Sequence, residues 1–288
     1  MSNHDLGGHS GCKVILIEKE NNGYFVRKIS KNHEYNSRLK EQCHKQKNFD
    51  KKYIKAPKVI DEGYTNEGLF YFDMEYVRGV TLDEYIKGVE VGKIDNLVSN
   101  IVESIMPKQS SFEYIYSAKL NKIFQTKIKS LKDSVDLSDE TIYTAVNYLE
   151  SHDWSWFEKM DCHGDMTLEN IIIKNDDLYF IDFLDSFHDS WLMDLGTLLQ
   201  DVQTLWSYRF LKEIDMNTII RLKIFKDLLV QKIHEKNNHC VIELYYALLQ
   251  KLVRIIPYTT DQFTYDFLLK KIKMVVKIID SFNGGNTL

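Results

Sequence analysis

Proline is scarce in this chain. Three prolines and thirteen glycines in 288 residues leave no room for long flexible linkers. No run approaches 18 apolar residues, so no membrane-spanning helix is expected. The N-terminus lacks the basic-then-apolar profile of a signal peptide, and its only apolar run is 14–17. The four cysteines, Cys12, Cys43, Cys162 and Cys240, include no C-x-x-C pair. That spacing argues against a zinc cluster or a disulfide framework, and reduced thiols in a cytoplasmic chain are expected. Positive charge is not in excess either. A formal net charge of −5 argues against a general binder of nucleic-acid polymers, which needs a basic surface for phosphates.

What is present is ordinary for a globular protein: 44% apolar and 27% charged residues. The length suffices for one large domain or for two lobes around a cleft. Charge is unevenly spread, with +3 over residues 1–78 and −8 over the remainder. A basic front and an acidic back suit a nucleotide at one end and a neutral or cationic substrate at the other. Solvated surfaces also produce such asymmetry.

The pattern predicts a small β-rich front lobe. Residues 13–19 and 24–29 read as strands, joined by a hairpin turn at Asn21-Asn22-Gly23, where Asn and Gly tolerate positive φ. Residues 32–48 read as a polar helix, and 58–64 and 69–77 as two further strands with a turn at 66–68. Beyond Gly79 the pattern becomes helical. Thr81 can cap a helix through 86, with Glu84 as its capping-box partner. Helical periodicity covers 94–106, 114–131 and 138–151, the last starting at Ser138. A β-like pair follows at 171–174 and 178–183 around a turn at 175–177. Helices then continue to 282, one of them ending near Pro257.

The chemistry concentrates in Cys162-His163-Gly164-Asp165-Met166-Thr167-Leu168-Glu169-Asn170 and, after the hairpin, Tyr179-Phe180-Ile181-Asp182-Phe183. A loop bears an acid and, five residues on, an amide. The hairpin returns a second acid to that loop. Phosphoryl transfer to an alcohol needs this set, because its loose transition state asks mainly for positioning and charge neutralisation. One carboxylate must orient the attacking hydroxyl and take its proton; Asp165 suits that role. A carboxylate and an amide oxygen are hard ligands for Mg2+, and Asp182 and Asn170 suit that one. The bland alternative is a polar turn whose Asp and Asn cap backbone groups. The H-G-D-x-x-x-x-N spacing arises by chance in a chain of this length only about twice in a thousand.

His163-Gly164-Asp165, Asn170 and Ile181-Asp182-Phe183 resemble the catalytic and metal motifs of aminoglycoside phosphotransferases and choline kinases, small-molecule relatives of protein kinases. The resemblance implies an α+β, two-lobed protein-kinase-like fold. A small antiparallel N-lobe sheet with one main helix would face a larger, mostly helical C-lobe. Residues 1–78 would form the nucleotide-binding N-lobe and hinge, and 79–288 the helical C-lobe with the catalytic loop and acceptor site. It also implies ATP as co-substrate and Mg2+ as cofactor. By the same likeness, Gly7-Gly8-His9-Ser10-Gly11 stands where a turn covers the phosphates. Its backbone N–H groups with the Ser10 hydroxyl and Gly11 can cradle phosphate; an unstructured N-terminus is the other outcome. Lys28 occupies the strand position of the nucleotide lysine, and strand alternation sends Arg27 to the opposite face. For the helix glutamate that pairs with this lysine, Glu41 is preferred over Glu34, with Gln42 or Gln46 as alternatives. Phe72-Asp73-Met74-Glu75-Tyr76-Val77 resembles the hinge, where the Glu75 carbonyl and the Val77 amide would hold adenine. His163 and Asp194 are expected in structural roles, Asp194 bracing the catalytic loop from a helix start.

Asp182 and Asp194 lie only 12 residues apart, and no Ala-Pro-Glu follows. The long peptide-docking segment of a protein kinase is therefore missing, which favours a small hydroxyl-bearing acceptor. Trp154, Trp156, Trp191, Trp206 and Tyr208 can supply an aromatic pocket for an amine or a sugar, although core positions suit most of them. The rival from another class is a nucleotide-binding pseudokinase without turnover.

Overall fold

The computed structural model describes residues 3–6, 11–18, 23–107, 118–157 and 159–283. Its contacts divide the chain into two compact units. The first comprises Met1–Tyr85, His163–Asp165 and Glu169–Phe187; the second comprises Ile86–Cys162, Met166–Leu168 and His188–Leu288.

The first unit is built on a five-stranded antiparallel sheet in the order β1-β2-β3-β6-β5. Its strands are β1 (Asn3–Asp5), β2 (Lys13–Glu18), β3 (Tyr24–Ile29), β5 (Val59–Tyr64) and β6 (Phe70–Glu75). β1 is absent from the sequence expectation; three residues are too few for a periodicity to register. The turn predicted at Asn21-Asn22-Gly23 lies mostly outside the described residues. The single helix on this sheet is α1 (Asn36–Asn48). It starts four residues later than predicted. The Asn32 side chain accepts the Tyr35 N–H at 2.9 Å, and Ser30 Oγ donates to the Asn32 carbonyl at 2.8 Å. Such side-chain turns compete with helix and hold 30–35 out of it. Asn36 then ties the helix start to the β5–β6 turn, donating to the Gly68 carbonyl and accepting from the Phe70 N–H.

Leu39 and Cys43 of α1 pack on Val26, Phe70, Phe72 and Met74 of the sheet. Alternation along β3 sends Val26 and Lys28 to this buried side. Arg27 points the other way, pairs with Asp73 through two hydrogen bonds of 2.7 and 2.8 Å, and lies over the Tyr71 ring.

A second small sheet runs β4 (Ile54–Lys55), β9 (Asp177–Phe180), β8 (Ile171–Lys174), β7 (Val80–Thr81). The β8–β9 connection is a two-residue loop, Asn175 and Asp176, both at positive φ, as the twist of a tight hairpin requires. The chain after β6 passes this sheet so closely that a Cβ on Gly79 would stand 2.4 Å from the Ile173 carbonyl oxygen. Thr81 accepts the Glu84 N–H at 3.3 Å as α2 (Leu82–Gly88) begins, in line with its predicted capping role.

The second unit is helical. It contains α3 (Val91–Ile105), α4 (Ala118–Lys132), α5 (Glu140–Ser151), α6 (Trp191–Thr204), α7 (Met216–Lys236), α8 (His239–Ile255) and α9 (Gln262–Asn283). The start predicted for α4, residues 114–117, lies outside the described residues. Asp139 rather than Ser138 caps α5, accepting the N–H groups of Thr141 and Ile142. α8 stops just before Pro257, and its Arg254 is exposed in the last turn. Trp154, Trp191 and Tyr208 are core residues, while Trp156 and Trp206 are half-buried. All four cysteines are buried, and none forms a disulfide. Among the described residues no helix is long and apolar enough to cross a membrane.

Candidate active site

Lys28, Asp165, Asn170 and Asp182 all belong to the first compact unit. Lys28 projects from the buried face of β3 with 3% of its side chain exposed, and its ammonium pairs directly with the Asp182 carboxylate. The same nitrogen donates to Gln42 Oε1 at 3.3 Å. Asp182 follows β9 and has φ 59°. This left-handed conformation is uncommon for a residue other than glycine, and such strain gathers where a side chain must be aimed.

Asn170 closes the loop that carries Asp165. Its amide nitrogen donates to the Asp165 carbonyl at 2.9 Å and to Asp165 Oδ2 at 3.2 Å. Its own carbonyl accepts the Ile181 N–H at 3.0 Å, which registers the loop against the strand that delivers Asp182. With the amide nitrogen committed to Asp165, Oδ1 is the end of Asn170 available to a cation. Among the described residues no three His, Cys, Asp or Glu side chains converge as a metal cluster. A site of one carboxylate and one amide oxygen fits Mg2+, which takes few protein ligands and completes its shell with phosphate oxygens and water.

His163 is fully buried under this loop. Nε2 donates to the Ile181 carbonyl at 2.6 Å, and Nδ1 accepts the Asp165 N–H at 3.2 Å. One nitrogen donates and the other accepts, so the ring is neutral. Burial pushes its pKa down, against the raising effects of the Ile181 carbonyl and Asp182, from 6.5 to about 4. Between those values the unfolded chain binds more protons than the folded one. Stability is therefore full above pH 6.5 and falls as pH drops towards 4, by roughly 3 kcal/mol in all. Urea midpoints measured at pH 7, 5.5 and 4.5 should decline accordingly, and His163→Asn should flatten that decline.

Gly164 has φ 93°, and a Cβ there would stand 2.4 Å from the Leu184 carbonyl oxygen. The conformation and the close approach both require glycine at this point of the loop. Leu168, midway along the loop, donates its N–H to the fully buried Asp201 at 2.9 Å, and Asp201 also accepts from Ser207 Oγ at 2.7 Å. Asp194, the predicted brace, is fully buried in the first turn of α6. Asp201 was missed by sequence reasoning. It lies two turns after Asp194, on the stripe of α6 that also carries Thr197 and Thr204.

A cavity of about 340 Å³ opens beside Lys28 and Asp182. Val14, Val26, Phe72, Val77 and Ile172 line its apolar part; Lys28, Gln42, Asn170 and Asp182 line its polar part. Glu75 and Val77, the predicted hinge pair, both border it. The Glu75 N–H is already bonded to the Lys58 carbonyl, while the Val77 N–H has no hydrogen-bond partner among the described residues.

Two sequence expectations do not meet the site. Glu41 is exposed on the outer face of α1; the inward stripe is Leu39, Gln42, Cys43 and Gln46, so Gln42 stands against Lys28 instead. One residue along a helix is a rotation of about 100°, enough to turn Glu41 to solvent. Glu34 is exposed as well. Ser10 lies outside the described residues, as do the glycines before it. Gly11 is described, at φ 74°.

The fold has solved counterparts. A thermostable mutant of aminoglycoside phosphotransferase APH(4)-Ia, in ternary complex with AMP-PNP and hygromycin B, superposes with a TM-score of 0.63 at 12% identity, covering 96% of this chain and 93% of that one. The GDP and kanamycin complex of APH(2")-IIia gives 0.58 at 15% identity, covering 96% and 93%. Amicoumacin kinase hAmiN, in complex with AMP-PNP, Ca2+ and Ami, gives 0.56 at 11%, covering 96% and 88%. No curated protein matches the sequence significantly. The phosphotransferase enzyme family matches over residues 7–217, nearly three-quarters of the sequence, and the chain belongs to that family.

Proposed function

We propose that this protein is an ATP-dependent small-molecule kinase that moves the γ-phosphoryl group of Mg-ATP to a hydroxyl. The observation that carries the proposal is the Lys28–Asp182 pair and Asn170 at the polar end of an apolar cavity, with Asn170 hydrogen-bonded to Asp165. The apolar end suits a purine, with the Glu75 carbonyl and the unpartnered Val77 N–H as its edge contacts. Residues 1–78 supply most of the nucleotide side of this assignment, and 79–288 supply the acceptor side, the catalytic loop and the magnesium ligands Asn170 and Asp182.

The chemistry assigned to each residue follows from its surroundings. Lys28 turns from Asp182 to the nucleotide phosphates. Asp182 and Asn170 Oδ1 would hold Mg2+, which would neutralise charge on the phosphate oxygens when bound. Asp165, held by Asn170 and by the His163–backbone contact, orients the acceptor hydroxyl and takes its proton. The acceptor oxygen bonds to the γ-phosphorus as the bond to the β–γ bridging oxygen breaks, and ADP leaves. A small acceptor is favoured by the short interval from Asp182 to Asp194. Solved proteins of the same fold hold hygromycin B or kanamycin beside a nucleotide. Amino alcohols, sugars, aminoglycosides and cell-envelope precursors are the acceptor classes to try.

Calorimetric titration with AMP-PNP, in Mg2+ and in EDTA, tests the nucleotide assignment. Micromolar binding that weakens strongly in EDTA is expected. Equal affinity in both would remove the metal role from Asp182 and Asn170. One observation favours the second reading, binding without turnover: a neutral glutamine stands where the resemblance places a glutamate. Tight Mg-AMP-PNP binding with neither ATP hydrolysis nor transfer to any acceptor would select that reading.

A further inference from the structure

Helix α1 reaches the segment after Asp182 with three side chains spaced at i, i+4 and i+7, one face of the helix. Arg38 donates to both oxygens of Asp185, at 2.8 and 3.1 Å. Gln42 Nε2 donates to Asp185 Oδ1 at 3.1 Å and to the Tyr35 hydroxyl at 3.1 Å. Lys45 donates to the Leu184 carbonyl at 2.7 Å and to Ser186 Oγ at 3.4 Å. Gln42 itself is 1% exposed.

The orientation of the Gln42 amide is settled by its neighbours. A carboxylate only accepts, so the end facing Asp185 is the nitrogen. An ammonium only donates, so the end facing Lys28 is the oxygen. The result is a directed chain from Arg38 through Asp185 and Gln42 to Lys28, which in turn meets Asp182. Two cations and two carboxylates alternate around one neutral amide. Burial would push the Asp185 carboxyl up, but the hydrogen bonds from Arg38 and Gln42 overcome it and hold the group below its ordinary value.

We infer that Gln42 is a positioning residue for Lys28 and that Asp185, gripped by Arg38, supplies at second hand the negative charge that a helix carboxylate would otherwise bring to the lysine. The inference rests on the kinase assignment above and deepens it. The relay is specific to an amide at position 42: the side chain must accept from Lys28 and donate to Asp185 at once. A carboxylate there meets the first demand and violates the second, because it would face another carboxylate across 3.1 Å. Restoring an acid to the helix is therefore expected to harm the site, and removing the charge at 185 to repair it.

The test is a double-mutant cycle on the full chain, read by Mg-AMP-PNP affinity, by KM for ATP, and by melting temperature. Gln42→Glu should weaken nucleotide affinity and raise KM by about 10- to 100-fold, the span available to coupled contacting residues. Asp185→Asn alone keeps an acceptor oxygen for Gln42 but removes the charge that is relayed to Lys28, so nucleotide affinity should fall by about 3- to 10-fold. Gln42→Glu with Asp185→Asn reverses the donor and acceptor across the same contact and should return to within about 3-fold of wild type. If Gln42→Glu does not fold, recovery of the melting transition in the double variant reads the same coupling. A Gln42→Glu enzyme as good as wild type, or a double variant no better than Gln42→Glu, overturns the inference. Wild type that binds no nucleotide overturns the kinase assignment instead, and the melting-temperature cycle still reports on the relay.

Discussion

Asp165→Asn should lower turnover by about 10²- to 10⁴-fold, the usual contribution of a positioned general base. Binding of Mg-AMP-PNP should stay within about 3-fold of wild type, because the residue is assigned to the acceptor and not to the nucleotide. The substitution keeps the side-chain shape, and the contacts that set the loop are largely backbone. Asn170 still finds the carbonyl of residue 165, and the N–H of 165 still donates to His163 Nδ1. A loss of turnover without a loss of binding is the signature of a group that acts on the reacting atoms. Single-turnover labelling beside calorimetry separates the two quantities.

The Lys28–Asp182 pair gives the second large effect, and it is asymmetric. The Lys28 side chain is 3% exposed and that of Asp182 is 33% exposed. Lys28→Met removes a charge held out of water and leaves a carboxylate that water can reach. Water can solvate the remaining carboxylate, so the melting temperature should fall only by the cost of leaving the buried Gln42 Oε1 unpaired, roughly 1–3 kcal/mol. Nucleotide affinity should fall about 10- to 100-fold, the worth of a charge-assisted phosphate contact. Asp182→Ala does the reverse to the fold. It strands the buried ammonium with only the Gln42 amide, at a cost of roughly 3–5 kcal/mol, and removes the proposed magnesium carboxylate as well. That variant should melt several degrees lower and bind AMP-PNP equally in Mg2+ and in EDTA. Thermal melts and titrations on both variants decide whether the pair is wired this way. Equal melting temperatures for the two would count against it.

The clustering of Asp165, Asn170 and Asp182 was legible because these residues are close in sequence. Asp165 and Asn170 are five residues apart in one loop, and Asp182 returns over a tight two-residue hairpin whose Asn175 and Asp176 announce it. Strand alternation was enough to separate Lys28 from Arg27. The helix contact was harder for a definite reason. The inward stripe of α1 alternates apolar and amide residues, Leu39, Gln42, Cys43 and Gln46, so hydrophobic periodicity marks only half of it. Leu39 and Cys43 do fix the phase, and from them positions 42 and 46 follow. The preference for Glu41 put charge type ahead of that phase. The contacts of Asp185 were beyond local patterns, since Arg38 and Gln42 lie 147 and 143 residues earlier, and Asp201 reaches the Leu168 N–H across 33 residues. The cap of α5 went to Asp139 rather than to its neighbour Ser138, which is within the usual uncertainty of helix ends.

Transfer of γ-labelled phosphate from Mg-ATP to a panel of amino alcohols, sugars and aminoglycosides tests the central claim most directly. Wild type should label at least one acceptor in a magnesium-dependent reaction, releasing one ADP per phosphoryl transferred, and Asp165→Asn should label it at least about 100-fold more slowly. Nucleotide binding with no labelled acceptor and no ATP hydrolysis, label entering only peptides, or labelling that survives Asp165→Asn unchanged would contradict it.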